Sequence, residues 1–210
     1  MTRAAVAAVA MLLGALPAAA QILPPPGGSG VAPALPPTAI PVPPPDAADR
    51  RRAEVDRLLD ALPAAPDEAA AAMVEARLRT LWSGGGTPAV SLLMRRALRN
   101  MEANAATEAV EDLDAAITLQ PDFPESWILR AQAQAAAGDP RAAAADLREA
   151  LRLEPRHFGA LAALSSILED AGDLPGALRS LDAALAIHPR LPGGAARQRD
   201  LRRRALGDDT

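Results

Sequence analysis

The sequence contains no lysine, so all 22 of its basic side chains are arginine; it also has no cysteine, no tyrosine, and only two histidines, His157 and His188. Each absence removes a kind of chemistry. Without lysine there is no P-loop amine to hold a nucleotide phosphate and no Schiff base to a carbonyl substrate. Without cysteine there is no thiol nucleophile, no disulfide framework and no lipid-carrying thiol. Two histidines with no H-E-x-x-H spacing cannot build a three-histidine zinc site or a metalloprotease helix. An aromatic content of 2% and a net charge of −4 run against the basic, stacking surface that nucleic acid requires. What is abundant is alanine, about a quarter of the 210 residues, far above ordinary usage. That composition suits helices packed at close range.

Met1-Thr2-Arg3 is a short positive start, followed by an uncharged apolar run from Ala4 to Ala20 that contains Gly14 and Pro17 and ends in three alanines. These are the n-region, h-region and small-residue cleavage site of a secretory signal peptide. A spanning helix needs about 18 or more apolar residues, so residues 1–20 are expected to be cleaved, leaving a periplasmic or secreted protein that does not engage a membrane. The alternative is a retained N-terminal anchor. Residues 21–46 follow as a disordered, proline-rich tether with ten prolines between positions 21 and 45. Proline lacks the amide hydrogen and biases its predecessor away from the helix, so an extended spacer is expected there, with a ligand for a proline-binding domain as the sharper alternative.

Residues 47–86 carry helical periodicity. Val55, Leu58, Leu59 and Leu62 share one face, Pro63 and Pro66 interrupt, and Asp67 is placed to cap a second helix ending near Gly84. This N-terminal helical hairpin is expected to cap the first unit of the structure that follows. Beyond it the chain repeats. Pro121, Pro155 and Pro189 are spaced by 34 residues, as are Ala109, Ala143 and Ala177; Leu113, Leu147 and Leu181; and Ala116, Ala150 and Ala184. Asn104, Gly138 and Gly172 stand where each unit must turn, so each unit reads as helix, tight turn, helix, proline stop.

These residues resemble the tetratricopeptide repeat (TPR) family, and the stretch from Glu154 to Leu161 resembles that of exported bacterial TPR proteins. The resemblance rests on Trp127, Ala131, Gly138, Ala143, Ala150 and Pro155 in a unit over 124–157. It continues with Gly172, Ala177, Ala184 and Pro189 in a unit over 158–191. A divergent unit covers 90–123, with Arg96 and Asn100 at positions the family makes apolar or aromatic. The resemblance implies an all-α, TPR-type α-solenoid of antiparallel helix pairs. Residues 192–210 supply a capping helix and tail, with Leu201, Ala205 and Leu206 turned inward and Arg197, Arg199, Arg202, Arg203 and Arg204 outward.

The resemblance also implies a role: a non-catalytic interaction module that takes a protein or peptide partner on the face lined by the first helix of each unit. That face comprises Ser91, Met94, Leu98, Met101 and Glu102, then Glu125, Ile128, Gln132, Ala135 and Ala136, then Gly159, Ala162, Ser166, Glu169 and Asp170. Met94 and Met101 serve equally well as core. Within each helix the spacing is i, i+3, i+7. The family's lysine-and-asparagine clamp for a peptide carboxylate has no counterpart here. His157 and His188 have no adjacent nucleophile and are read as structural. No cofactor, metal, small-molecule substrate or nucleic acid is expected, and no enzymatic activity. The runner-up role is a membrane-anchored envelope assembly factor with the proline-rich segment as spacer.

Overall fold

The computed structural model describes residues 46–206; residues 1–45, which hold the expected signal peptide and the prolines of the expected tether, and residues 207–210 lie outside the described residues. Among the described residues there are nine α-helices and no strand. They are α1 Ala47–Ala61, α2 Glu68–Ser83, α3 Pro88–Glu102, α4 Ala106–Leu119, α5 Pro124–Ala136, α6 Pro140–Leu153, α7 Phe158–Asp170, α8 Leu174–Ile187 and α9 Gly194–Leu206, with a 3-10 turn, Leu62–Ala64, between α1 and α2. The pairs α3–α4, α5–α6 and α7–α8 each pack along their length, and successive pairs join through α4 on α5 and α6 on α7. This is the all-α solenoid that the repeat implied.

Local chemistry sets the boundaries. Asp67, Asp139 and Asp173 accept hydrogen bonds from the amides of Ala70, Ala142 and Gly176 at 2.8, 2.9 and 2.9 Å, satisfying helix donors that have no partner within the helix. Each unit then turns on a residue in the left-handed region: Asn104 at φ 59°, Gly138 at 87° and Gly172 at 80°. The same closing bond recurs at 2.8 Å in all three, from Ala105 to Asn100, Asp139 to Gln134 and Asp173 to Leu168. That 6→1 bond satisfies the orphan carbonyls at each helix end.

The repeated small residues sit where helices meet. Ala109, Ala143, Ala177, Ala116, Ala150 and Ala184 are all fully buried, Ala131 nearly so, and Leu113, Leu147 and Leu181 fill the space between them. Two charge pairs run through this core in the same register. Asp112 is buried and held by Arg96 and Asn100; one unit on, Asp146 is buried and held by Arg130 through Nε at 2.7 Å. The polar residues that made the first unit look divergent are thus partners of a buried carboxylate. Removing Arg130 would leave the Asp146 carboxylate buried and unpaired, at a cost of about 3–5 kcal/mol; Arg96 is itself exposed, so its pair with Asp112 is screened by solvent.

The start of the solenoid is finished by substitution. Ser126, Leu129 and Ala133 of α5 are buried under the preceding pair, whereas their counterparts one unit earlier, Leu92, Arg95 and Arg99, are exposed. Arginine at two of these three positions lets water take the place of a preceding helix.

The hairpin therefore lies elsewhere, which corrects the expectation that it caps the first unit. Val55, Leu59, Leu62, Leu78 and Leu81 form one buried cluster with Phe158 and Ala184, backed by Leu161, Ile187 and Leu191. The hairpin packs on the third unit and along the loops that join units. Arg156 pairs with Asp60 at 2.7 Å, Arg190 donates to the Pro66 carbonyl at 2.9 Å, and Gln120 donates to the Gly85 carbonyl at 3.1 Å. Gly85 and Gly86 are required here, since a Cβ at either would stand 2.8 or 3.0 Å from the Phe123 ring. At the C-terminus Leu201 is buried as expected, but Arg197 is not outward. It turns back onto Glu169 and Ser165, and Arg204 also reaches Glu169.

Ala150 is fully buried in the core cluster, so Ala150→Leu is expected to destabilise the protein by about 1–3 kcal/mol in urea unfolding. Ala144, which the helical pattern places at the surface, is 6% exposed and is no control. The exposed Ala145 is, and Ala145→Leu should stay within about 0.5 kcal/mol; equal effects at both positions would refute the register.

Candidate binding groove

The first helices α3, α5 and α7 present the face on which a partner was expected, and the structure divides its residues into three kinds. Leu98, Gln132 and Ser166 are exposed, one on each helix. Met94 and Met101 are half-buried against the cluster of Ala97, Ala109, Leu113, Leu129 and Ala133, with the Ser126 hydroxyl 3.7 Å from the Met94 sulfur. Both methionines thus pack on the core between α3, α4 and α5 rather than under the hairpin, and each keeps part of its surface exposed. Ile128 is 7% exposed and packs with Leu147, Leu164 and Ala144, so it is a core residue showing one edge rather than a free apolar anchor.

Two charged members of the face, Glu125 and Glu169, are already engaged. His157 caps α7: its Nδ1 accepts from the Ala160 amide at 3.0 Å, which places the ring proton on Nε2, and Nε2 donates to Glu125 at 2.8 Å. Trp82, at the end of α2, stacks on that imidazole with ring centroids 4.0 Å apart and planes 26° from parallel. His188 does the same work one loop further along. It is buried, its Nε2 lies 3.3 Å from Glu75 of α2, and the edge of Phe158 meets its ring at 5.1 Å. Glu75 is also held by Arg79. Both histidines thus fasten the hairpin to the loops between units.

One result is a cleft of about 490 Å³ with two walls. Arg79, Thr80, Trp82 and Ser83 of α2 form one wall; Glu125, Ile128 and Gln132 of α5, with His157 and Gly159 at the start of α7, form the other. An extended segment could lie along the cleft, with Gln132 offering both a donor and an acceptor to its backbone. Among the described residues no group of three or more His, Cys, Asp or Glu gathers as a metal set, and no helix is long and apolar enough to cross a membrane.

Several of these residues escaped the sequence reading. The hairpin contributes one wall of the cleft, including Trp82, although the helical periodicity of residues 47–86 marks no binding surface there. The pairs Arg96–Asp112 and Arg130–Asp146 repeat at the 34-residue spacing in all four positions, and that was a visible signal of a built-in ion pair.

Glu169, expected to colour the face acidic, is instead tied to Arg197 at 2.9 Å and to Arg204. Burial alone raises its carboxyl, but the hydrogen bonds and charges of the two guanidinium groups outweigh burial and hold it below the ordinary carboxylate value. A depressed pKa contributes stability that is present above the unfolded value and is lost as pH falls through the folded one. Acid titration followed by circular dichroism should therefore show α9 loosening below the usual carboxylate range. Glu169→Gln should loosen α9 already at neutral pH and remove that acid step; an unchanged acid profile in the variant would contradict the assignment.

No family model matches the chain. A TPR repeat-containing protein of Rhizobium etli is 32% identical over 144 residues, covering 69% of this chain and 71% of the relative. The fold is similar to the first TPR of Spaghetti (RPAP3), whose structure holds an HSP90 peptide: TM-score 0.54 at 15% identity, over 57% of this chain and 94% of that one. It is also similar to the Sgt2 TPR domain of Aspergillus fumigatus, with TM-score 0.53 at 21% identity, over 60% of this chain and 87% of that one. With the repeat register buried as described and a relative matched over most of its length, the chain belongs to the TPR repeat-containing proteins.

Proposed function

We propose that the protein is a non-catalytic interaction module, exported to a bacterial envelope, that takes an extended segment of a partner protein in the cleft between the hairpin and the middle unit. The observation that carries this reading is the second wall. A bare solenoid face offers one surface, whereas α2 here turns the α5 face into a cleft lined by Trp82, Gln132 and an edge of Ile128. The peptide in the RPAP3 structure supports the general mode, and the absence of lysine from this sequence argues for a different ligand chemistry. Glu125 and Glu169 are paired; outside the cleft, at the ends of α3 and α7, the exposed Glu102 and Asp170 favour a neutral or basic segment through encounter rate.

Because Ile128 is core, Ile128→Ala would confuse binding with stability at about 2–5 kcal/mol. The test uses exposed positions instead. A photo-crosslinker at Gln132 should capture the partner in envelope extracts, and one at Ala145 should not. Gln132→Ala with Leu98→Ala should weaken the captured complex by about tenfold at an unchanged melting temperature. Capture that survives the double change but is lost on deleting residues 21–45 would assign binding to the proline-rich segment.

Export supplies a separate outcome. The intact mass of the exported protein should correspond to a chain beginning at Gln21. A membrane-bound form that still carries Arg3 would favour the anchored assembly factor over a free module.

A further inference from the structure

A second concavity shares no residue with the cleft described above. It is a notch of about 190 Å³ between α6 and the end of α7, lined by Pro140, Arg141, Ala144, Arg148, Ile167, Leu168 and Ala171. Its floor is apolar: Ala144 is buried, and Ile167 and Leu168 are half-buried against the same core. Its volume suits one large aliphatic side chain. Its rim is basic, since Arg141 and Arg148 are both exposed and neither forms an ion pair among the described residues.

The register makes this rim particular to the middle unit. The positions equivalent to Arg141 are Thr107 and Pro175, and those equivalent to Arg148 are Asp114 and Asp182. Asp114 is paired with Arg130, and Asp182 with Arg202. The carboxylates at the adjoining turns are occupied as well, Asp139 by the Ala142 amide and Asp173 by the Gly176 amide. In a chain of net charge −4, two uncompensated cations flank an apolar notch.

We propose that this notch docks a short acidic segment of a partner protein, with one apolar side chain seated between two carboxylates. Arg141 and Arg148 are seven residues apart on one helix, about 10.5 Å along its axis. In an extended segment residues i, i+2 and i+4 share one face, and the outer two stand about 13 Å apart, a span that two long arginine side chains rooted about 10.5 Å apart can cover. An Asp-Ser-Leu-Ser-Asp arrangement can therefore meet both guanidinium groups while the leucine between them enters the notch. The inference does not rest on the groove reading, and the two sites would take segments of opposite charge.

The test is fluorescence anisotropy of the full chain with a labelled, end-blocked peptide containing Asp-Ser-Leu-Ser-Asp between Gly-Ser spacers. Saturable binding is expected. It should weaken by about tenfold in Arg141→Glu with Arg148→Glu, fall with added salt, and persist in Gln132→Ala with Leu98→Ala. The milder pair Arg141→Gln with Arg148→Gln should show the same direction if the reversal disturbs the fold. Absence of saturable binding would overturn the proposal. Equal binding by both arginine double variants, or equal binding of peptides with serine for both aspartates or glycine for leucine, would overturn it too.

Discussion

The seating of the α1–α2 hairpin across the loops between units is the contact on which the rest of the molecule's character depends. Those loops recur every 34 residues and place Phe123, His157 and Leu191 in equivalent positions. The hairpin reads this row with a different chemistry at each step: glycine against the Phe123 ring, a Trp82 stack on His157, and buried leucines against Leu191. His188, in the same loop as Leu191, adds a buried pair with Glu75. Each polar contact is modest. An aromatic pair is worth about 0.5–1.5 kcal/mol beyond its buried area, so the leucine cluster supplies most of the adhesion and the histidines fix where it lands.

That placement explains the composition of both ends. Because the hairpin leaves the outer side of α3 uncovered, Arg95 and Arg99 stand where Leu129 and Ala133 are buried one unit on. At the far end α9 covers α8 with Leu201, and its arginines neutralise Glu169 and Asp182. A chain without lysine suits this use, because a planar guanidinium holds carboxylates in two-point geometry that an ammonium cannot. Arg96 and Arg130 hold Asp112 and Asp146 that way inside the solenoid.

The solenoid was legible because its constraint is local and repeated. Ala143 and Ala150 are fully buried where helices meet, Gly138 and Gly172 adopt the left-handed region, and these features recur at a fixed spacing. The hairpin's position was not legible, since its anchoring contacts cross long stretches of sequence, from Asp60 to Arg156 and from Glu75 to His188, and carry no period. The face of α5 was read correctly as a direction and incorrectly as a surface. Helical spacing puts Glu125, Ile128 and Gln132 in line, but only packing decides that Ile128 is covered, Glu125 is bound to His157 and Gln132 alone is free.

The central claim is that α2 and α5 form the two walls of one binding cleft. Hydrogen exchange of the full chain with and without its captured partner tests it most directly. The account predicts that partner binding slows exchange in residues 79–83 and in residues 125–132 together. Protection confined to α5, or protection that leaves both segments unchanged, would contradict it.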